Sequence, residues 1–460
     1  VVSFNKYIFR DYDVRGIVGQ DLDEERMEIL GKAFGTKLVS MEKNASCTVA
    51  RDNRKDSLAY KNAFVKGLVS TGCDAIDVGQ GTTPLGYFAQ QFLKATGTAI
   101  ITASHNPPQY NGLKMRVGND AFSGKKLGEI VLKGEFAVGK KPGSVSEKNI
   151  YENYVNAVTG ENRVKRRMRV VVDSGNGMAG PLAVAALKRI GCEVIELFTD
   201  PDSNYPHHIP DVVKPENYPW LVKKVREEKA DLGIMLDGDG DRVAAVDEKG
   251  NILWPDMLLV SFAREALSQK KGAKIVVEIK CSQKLIEDVE NRGGKALLCK
   301  TGYPFVEEMM EKEGSPVGGE MSGHFFFFNP DGRWFSDAIY AACRFVKIVS
   351  ESGKPLSRMF DDLPVYYASQ EYRFDVHAPD EGRKYEIVAE LVREFKKTHK
   401  VIDIDGARVL FPGGWGLVRA SNNEPLIVMR FESKTREGLE KIARIFREKI
   451  ARYPEVKAKF

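Results

Sequence analysis

A chain of 460 residues sets a soft prior of about three domains, each large enough to bury its own core, and excludes a minimal binding module. With 43% hydrophobic and 29% charged residues it reads as an ordinary globular protein, which excludes wholesale disorder and a fibrous repeat. Lys plus Arg number 69 against 64 Asp plus Glu, a net charge of +5; so thin an excess is no nucleic-acid footprint, although it suits a modestly positive cleft for small anions.

The chain opens on VVSFNKYIFRDYDVRG, which lacks the charged, apolar and small-residue succession of a signal peptide. No run of eighteen apolar residues occurs, and FFFFN at 325–329 is too short to cross a bilayer. The expectation is a cytoplasmic protein with neither nucleic acid nor membrane as partner. Cys47, Cys73, Cys192, Cys281, Cys299 and Cys343 are scattered, mostly within apolar runs and without a C-x-x-C pair. They are expected to be buried free thiols in a reducing compartment rather than a disulfide or zinc framework.

In chain order, CTVARDNRKDSLAYKNAFVKGLVSTGCDAIDVG from Cys47 sets out a β-branched run, an amphipathic helix closing at Gly72 and a second apolar run. The plan returns in MRVVVDSGNGMAGPLAVAALKRIGCEVIELF from Met168, closing at Gly191, and in AKIVVEIKCSQKLIEDVENRGGKALLCKTG from Ala273, closing at Gly293 and Gly294. Glycine can take the left-handed conformation that ends a helix, and units of strand, helix and strand build parallel or mixed sheet. Three repeats imply three α/β domains on one plan. The basic run RVKRRMR at 163–169 reads as a solvated connection between domains. From about Ala368 the pattern changes to YRFDV, a helix through Glu381–Thr398, the close-spaced strands VIDID, ARVLF, LVRAS and PLIVMRFES, and a helix from Thr435. That predicts an α+β domain, with Pro364 in the linker before it.

Four segments carry chemistry. In TASHNPPQYNGLKM, 102–115, Ser104 stands where the apolar run TAIIT ends and a loop of prolines, Asn106 and Gly112 begins. Such a loop is expected to be exposed and rigid, which suits a nucleophile, and it reads equally as a plain Ser/Asn/Pro turn. G-x-S-x-G is absent, so an α/β-hydrolase elbow is not supported. In IMLDGDGDRVAAVD, Asp237, Asp239 and Asp241 alternate with glycines after an apolar strand. Two charges about 5 Å apart repel by roughly 3 kcal/mol at an effective dielectric near 20, so three in one tight loop call for a cation. The all-oxygen set points to Mg²⁺ rather than zinc, and Arg242 at the turn-glycine position with VAAV after it rejects an EF-hand. GGEMSGHFFFF, 318–328, offers Glu320, Ser322 and His324 in a glycine-rich turn, a kit for gripping vicinal sugar hydroxyls or simply a hairpin. LVRASNNEPLIVMRFE places Arg419, Ser421, Asn422 and Asn423 between two strands, as an anion cradle or a capped turn.

Together these segments resemble the α-D-phosphohexomutase family, most closely its bacterial and archaeal phosphomannomutase/phosphoglucomutase branch. FRDYDVRG (9–16), VARDNR (49–54), TASHNPPQYNGLK, VVVDSGNGMAG (170–180), LDGDGDR, KTG (300–302), GEMSGH and RASNNEP come in the family's order along the whole chain. The resemblance implies a heart-shaped molecule around a central cleft, with three related α/β domains of mixed sheet and a C-terminal α+β domain. Their expected bounds are 1–150, 151–254, 255–367 and 368–460.

By the same resemblance Ser104 would carry a phosphoryl group and, with Asp237, Asp239 and Asp241, ligate Mg²⁺. Arg15, His105, Lys114, Arg242 and His324 would be catalytic. Tyr12, Lys280, Tyr303, Glu320, Ser322, His324, Arg419, Ser421, Asn422 and Asn423 would bind substrate, the last four holding the non-reacting phosphate. Two positions depart from the family: Tyr303 follows KTG where His is common, and Asn423 stands where Thr is frequent. The implied activity interconverts hexose 1- and 6-phosphates of mannose and/or glucose through a phosphoserine and a hexose 1,6-bisphosphate, which also serves as activator, in a monomer or homo-oligomer. Lys114, Arg15 and His324 are the candidate bases. Met321, where glucosamine-specific relatives carry Gln, offers nothing to a charged 2-amino group and demotes phosphoglucosamine. The rivals are an Mg²⁺-dependent phosphatase attacking through Asp237, a phosphoglucosamine mutase, and a non-catalytic sugar-phosphate binder.

Overall fold

The computed structural model describes residues 2–328, 334–378, 380, 382–422 and 424–458. The chain divides into two compact units, Val1–Ser261 with Ser322–Met359, and Phe262–Met321 with Phe360–Phe460.

In the first unit the repeat from Cys47 forms the strand Ser46–Arg51, the helix Ser57–Ser70 and the parallel strand Asp74–Gln80. Gly72 follows the helix at φ +92°, as its helix-ending position requires. Gly97–Ile101 lies parallel to Ser46–Arg51, and Tyr110–Val117 runs antiparallel to both Gly97–Ile101 and Val14–Ile17. Among the described residues this mixed sheet has seven strands, with Phe34, Phe64, Leu68 and Leu113 in the core between it and its helices. The second sheet centres on Met168–Asp173, parallel to Cys192–Leu197 and to Leu232–Leu236, with the helix Ala179–Arg189 following the first strand. Leu232–Leu236 and Val243–Asp247 are antiparallel, so DGDGDR is the tip of a hairpin whose two strands are wholly buried. The basic part of RVKRRMR is solvated, Arg166 pairing with Asp231 at 2.8 Å and Arg167 with Glu193 at 2.8 Å, whereas Met168 is buried and opens the strand.

In the second unit Lys274–Glu278 runs parallel to Lys295–Cys299 and to Val317–Gly319, with the helices Gln283–Asn291 and Tyr303–Glu313 between them. The C-terminal sheet is antiparallel around Leu426–Ser433, which pairs with Gly414–Ala420 and Tyr372–Asp375. Its helices Arg383–Phe395 and Arg436–Ile450 bury Phe395, Ile442 and Phe446 against Phe431. The helix expected through Glu381–Thr398 stops at Phe395, Glu381 lying outside the described residues, and VIDID gives only Val401–Ile402 as strand because the chain turns at Asp405 and Gly406, the latter at φ +73°. All six cysteines are free and buried. Among the described residues no helix is long and apolar enough to cross a membrane.

Candidate active site

Ser104 sits three residues beyond the strand Gly97–Ile101, in the left-handed region at φ 51°. Such a conformation costs a non-glycine residue of order 1 kcal/mol or more and persists only where surroundings enforce it. The loop was expected to be exposed, but Ser104 itself is only 1% exposed. The aspartate hairpin covers it: a Cβ on Gly238 would stand 2.5 Å from the Ser104 carbonyl oxygen, so only glycine permits that approach. The Ser104 hydroxyl donates to Asp237 Oδ2 at 2.9 Å and lies 2.9 Å from His105 Nδ1.

The three aspartates are buried, and their candidate ligand oxygens lie within 4.8 Å of one another. Asp237 Oδ1 accepts the backbone N–H groups of Gly240, Asp241 and Arg242 at 3.0, 3.0 and 3.1 Å, which shapes the hairpin tip. Lys114, on the strand Tyr110–Val117, bridges the other two, 2.7 Å from Asp239 Oδ2 and 2.5 Å from Asp241 Oδ2. Thr83 also donates to Asp239 Oδ2, at 2.6 Å. Burial by itself would discharge Lys114, but Asp239 and Asp241 outweigh it and hold the ammonium above its usual range. Asp239 is pushed up by burial and pulled further down by Lys114, so it stays ionised. Asp237 lacks that partner, and burial followed by the charges of Asp241 and Asp239 pushes its carboxyl well above the usual range.

The donor set fits a hard divalent cation. Oδ1 of Asp239 and Oδ1 of Asp241 are buried without a hydrogen-bond partner among the described residues, an arrangement that is costly unless a cation takes them up. Around this centre Arg15 reaches Asp13 at 2.8 Å and also donates to the Ala103 carbonyl and Asn106, gripping the serine loop from the opposite side. Arg242 Nε donates to His324 Nε2 at 3.1 Å, and its Nη1 lies 3.5 Å from His105 Nε2. Burial, then the charges of Arg242 and Arg15, press His105 well below its ordinary range. Burial likewise presses His324 down to about 3, so both imidazoles are neutral near pH 7. Tyr12 lies buried just before the strand Val14–Ile17.

The GEMSGH segment is divided between the units, Ser322 and His324 belonging to the first and Glu320 to the second. In the second unit the KTG turn is a hub. Gly302 N–H donates to Glu320 Oε1 at 2.7 Å, Thr301 N–H to Asp405 Oδ2 at 3.0 Å, and the Thr301 hydroxyl to Glu278. Asp405 Oδ2 also accepts Arg419 Nε at 2.9 Å, and Asn422 Nδ2 donates to the Thr301 carbonyl at 3.4 Å. Thus Glu320, Arg419 and Asn422 are brought together around one turn. Ser421 Oγ accepts the Glu424 N–H at 3.3 Å within the cradle turn, and Tyr303 opens the helix Tyr303–Glu313. Lys280, 6% exposed, pairs with Glu371 at 2.9 Å. Asn423 lies outside the described residues.

Sequence reasoning missed Glu371 and Asp405, which hold Lys280 and Arg419 from elsewhere in the chain, and Glu278, which holds Thr301 of the KTG turn. It noted VARDNR without a role for Arg54. Only the motif membership of Arg54 was a signal; the other three sit in segments whose residue types are ordinary.

The sequence matches the families described as phosphoglucomutase/phosphomannomutase alpha/beta/alpha domains I, II and III over residues 6–132, 152–250 and 254–367, and the C-terminal domain over 377–449. It is 38% identical to a phosphomannomutase/phosphoglucomutase of Pseudomonas aeruginosa over 450 residues, covering 96% of this chain and 95% of that one. It is also 38% identical to a phosphoglucomutase of Neisseria gonorrhoeae over 464 residues, covering 99% of each. A solved phosphoglucomutase/phosphomannomutase family protein from Burkholderia thailandensis superposes with a TM-score of 0.90 at 34% identity, over 98% of each chain. Three related α/β domains and an antiparallel last domain therefore have full-length counterparts, and the chain belongs to the phosphoglucomutase/phosphomannomutase family of α-D-phosphohexomutases.

Proposed function

We propose that the protein is a phosphohexomutase that interconverts hexose 1-phosphate and hexose 6-phosphate, of mannose and of glucose, through a phosphorylated Ser104. The observation that carries this reading is the Ser104 hydroxyl held 2.9 Å from Asp237 within the buried aspartate cluster. The relatives named for both sugars support the substrate class.

Asp237, Asp239 and Asp241, with an oxygen of phosphorylated Ser104, would hold Mg²⁺. Bound there, the ion supplies positive charge to a phosphoryl group in transit. Lys114 and Arg242 line the same pocket with fixed positive charge, which favours a transferring phosphoryl group without reorganisation. In the transfer a sugar hydroxyl oxygen bonds to phosphorus as the bond from phosphorus to Ser104 Oγ breaks, and the hydroxyl proton passes to a base. Lys114, Arg15 and His324 are the candidates for that base: Lys114 is held as a cation, and burial presses His324 down to about 3, which keeps it neutral but weakly basic. The resulting hexose 1,6-bisphosphate turns over and returns its other phosphate to Ser104. Arg419, Ser421 and Asn422, with Asn423, hold whichever phosphate is not reacting. Glu320 and Ser322 read the equatorial 3- and 4-hydroxyls that mannose and glucose share, and Lys280 and Tyr303 complete the set.

The phosphatase alternative gains no support. Asp237 spends one oxygen on three backbone N–H groups and the other on Ser104, which leaves it poorly placed to attack phosphorus. Six free thiols suit a cytoplasmic setting.

The deciding experiment is intact mass before and after exposure to glucose 1,6-bisphosphate, followed by peptide mapping. One added phosphate on Ser104 is expected, and phosphate on Asp237 would overturn the reading. Comparing kcat/KM for glucose, mannose and glucosamine 1-phosphates then tests the substrate range; a clear preference for the amino sugar would sink that part.

A further inference from the structure

VARDNR has no part in the mechanism above, yet its second arginine, Arg54, makes four hydrogen bonds to the serine loop. Arg54 is 3% exposed. Its Nη1 donates to the carbonyl oxygens of Pro107 at 2.8 Å and Tyr110 at 2.9 Å, and its Nη2 to those of Ser104 at 2.9 Å and Asn106 at 2.6 Å. One planar guanidinium therefore gathers four carbonyls of a seven-residue loop, a geometry that a fork of rigid donors can satisfy and a lysine ammonium cannot. Asp52 anchors the fork, 3.2 Å from Arg54 Nε, while accepting the Arg54 N–H at 3.0 Å and the Ser57 hydroxyl at 2.6 Å. The ring of Tyr205, itself buried, covers the guanidinium 5.5 Å from its centroid.

We infer that Arg54 is a positioning residue for phosphoryl transfer, acting through the backbone to hold Ser104 at its left-handed φ with the hydroxyl aimed at Asp237. The inference rests on the reading of Ser104 as the phosphoryl carrier. Four carbonyl dipoles turned toward one buried cation tie the loop along its length from Ser104 to Tyr110, and Arg15 adds its own holds at the Ala103 carbonyl and the Asn106 side chain. Without the fork the loop can relax toward ordinary φ values, which swings Oγ away from the metal site. No group of Arg54 needs to meet substrate for this to matter, since misplacement of a nucleophile by about 1 Å is enough to cost on the order of a hundredfold in rate.

The test uses the full-length Arg54→Lys variant beside wild type, with steady-state mutase kinetics, thermal melting and peptide-level hydrogen exchange. Expected are a fall in kcat of about a hundredfold, a KM for hexose phosphate within roughly threefold of wild type, and faster exchange confined to the peptide spanning 104–110. A folded variant with kcat within about twofold of wild type and unchanged loop exchange overturns the inference. So does acceleration of exchange throughout the domain, which would make Arg54 merely structural. Should Arg54→Lys fail to fold, Asp52→Asn leaves the guanidinium in place but turns an amide toward it; a roughly tenfold loss of kcat with loop-restricted exchange is expected, and unaltered kcat overturns the proposal. Wild type without mutase turnover would overturn the mutase reading, while the exchange result would still decide the role of Arg54.

Discussion

In the first unit two of three buried carboxylates, Asp239 and Asp241, share the Lys114 ammonium, and Asp237 is left to Ser104 and backbone N–H groups. In the second unit each candidate ligand cation has its own carboxylate partner, Arg419 with Asp405 and Lys280 with Glu371, which Arg373 also approaches at 3.8 Å. The first region is short of positive charge and keeps two buried oxygens unsatisfied, so it is built to take up a cation. The second is charge-balanced before any ligand arrives. Asp405 occupies Nε of Arg419, which orients the guanidinium without using its Nη edge for that contact. A pre-oriented but already neutralised cation holds a phosphate firmly in direction and only moderately in energy. That combination suits a bisphosphate intermediate that must let go, turn and bind again.

The largest effect that bears on this comparison is expected from Ser104→Ala. If the first region does the chemistry, turnover should fall by roughly 10⁴-fold or more while melting stays near wild type, since a small buried hydroxyl is all that is lost. Retained activity, measured with saturating glucose 1,6-bisphosphate, would move the chemistry elsewhere.

Lys114→Met tests the charge shortage directly. Removing one partner of a buried ion cluster typically costs about 3–5 kcal/mol, because the remaining carboxylates lose the ammonium that bridges them. The variant should melt well below wild type in chelator and recover part of the loss when Mg²⁺ is added, because a cation can replace the ammonium. Equal melting of variant and wild type in chelator would mean that Asp239 and Asp241 do not depend on Lys114 for charge.

In the second unit, Asp405→Asn should act on binding rather than chemistry. The amide keeps an acceptor for Thr301 N–H but loses the charge that orients Arg419, so KM for hexose phosphate is expected to rise by about tenfold with kcat changed much less. A fall in KM would instead show that the carboxylate competes with phosphate for Arg419.

These carboxylates also mark the limit of what the sequence reveals. The three strand, helix and strand repeats were legible because β-branched runs and closing glycines are local signals, and Gly72, Gly191 and Gly293 all have positive φ. The aspartate hairpin was legible for the same reason, its six residues being contiguous. The burial of Ser104 was not, because a loop of Pro, Asn and Gly looks exposed until a hairpin more than a hundred residues later closes over it at Gly238. Asp405, Glu371 and Glu278 take their roles from partners brought close by the fold, so no spacing betrays them. Arg54 lies between: its motif was visible, but its four carbonyl partners lie fifty or more residues away along the chain.

The smallest expected effect separates the regions by acid response. In the second unit burial pushes the Glu371 carboxyl up, but Lys280 and Arg373 outweigh it and bring it down to about 2 from a usual 4.5. A carboxyl depressed on folding contributes stability above its unfolded value, and that contribution is lost as pH falls from about 4.5 toward 2. In the first unit Asp337 caps the helix Ala338–Glu351 and accepts the Tyr154 hydroxyl at 2.6 Å, yet burial raises it to about 6. Here the folded protein takes up its proton first, so the group adds stability as pH falls from 6 toward its unfolded 3.8 and loses that contribution as pH rises through 6. Glu371→Gln should therefore flatten the acid-side loss of melting temperature, and Asp337→Asn should remove a small gain on going from pH 7 to pH 4. Melting curves from pH 7 down to about pH 2 decide the matter: if both variants shift the pH profile in the same direction, the charge-short and charge-balanced regions do not differ as the ion pairs indicate.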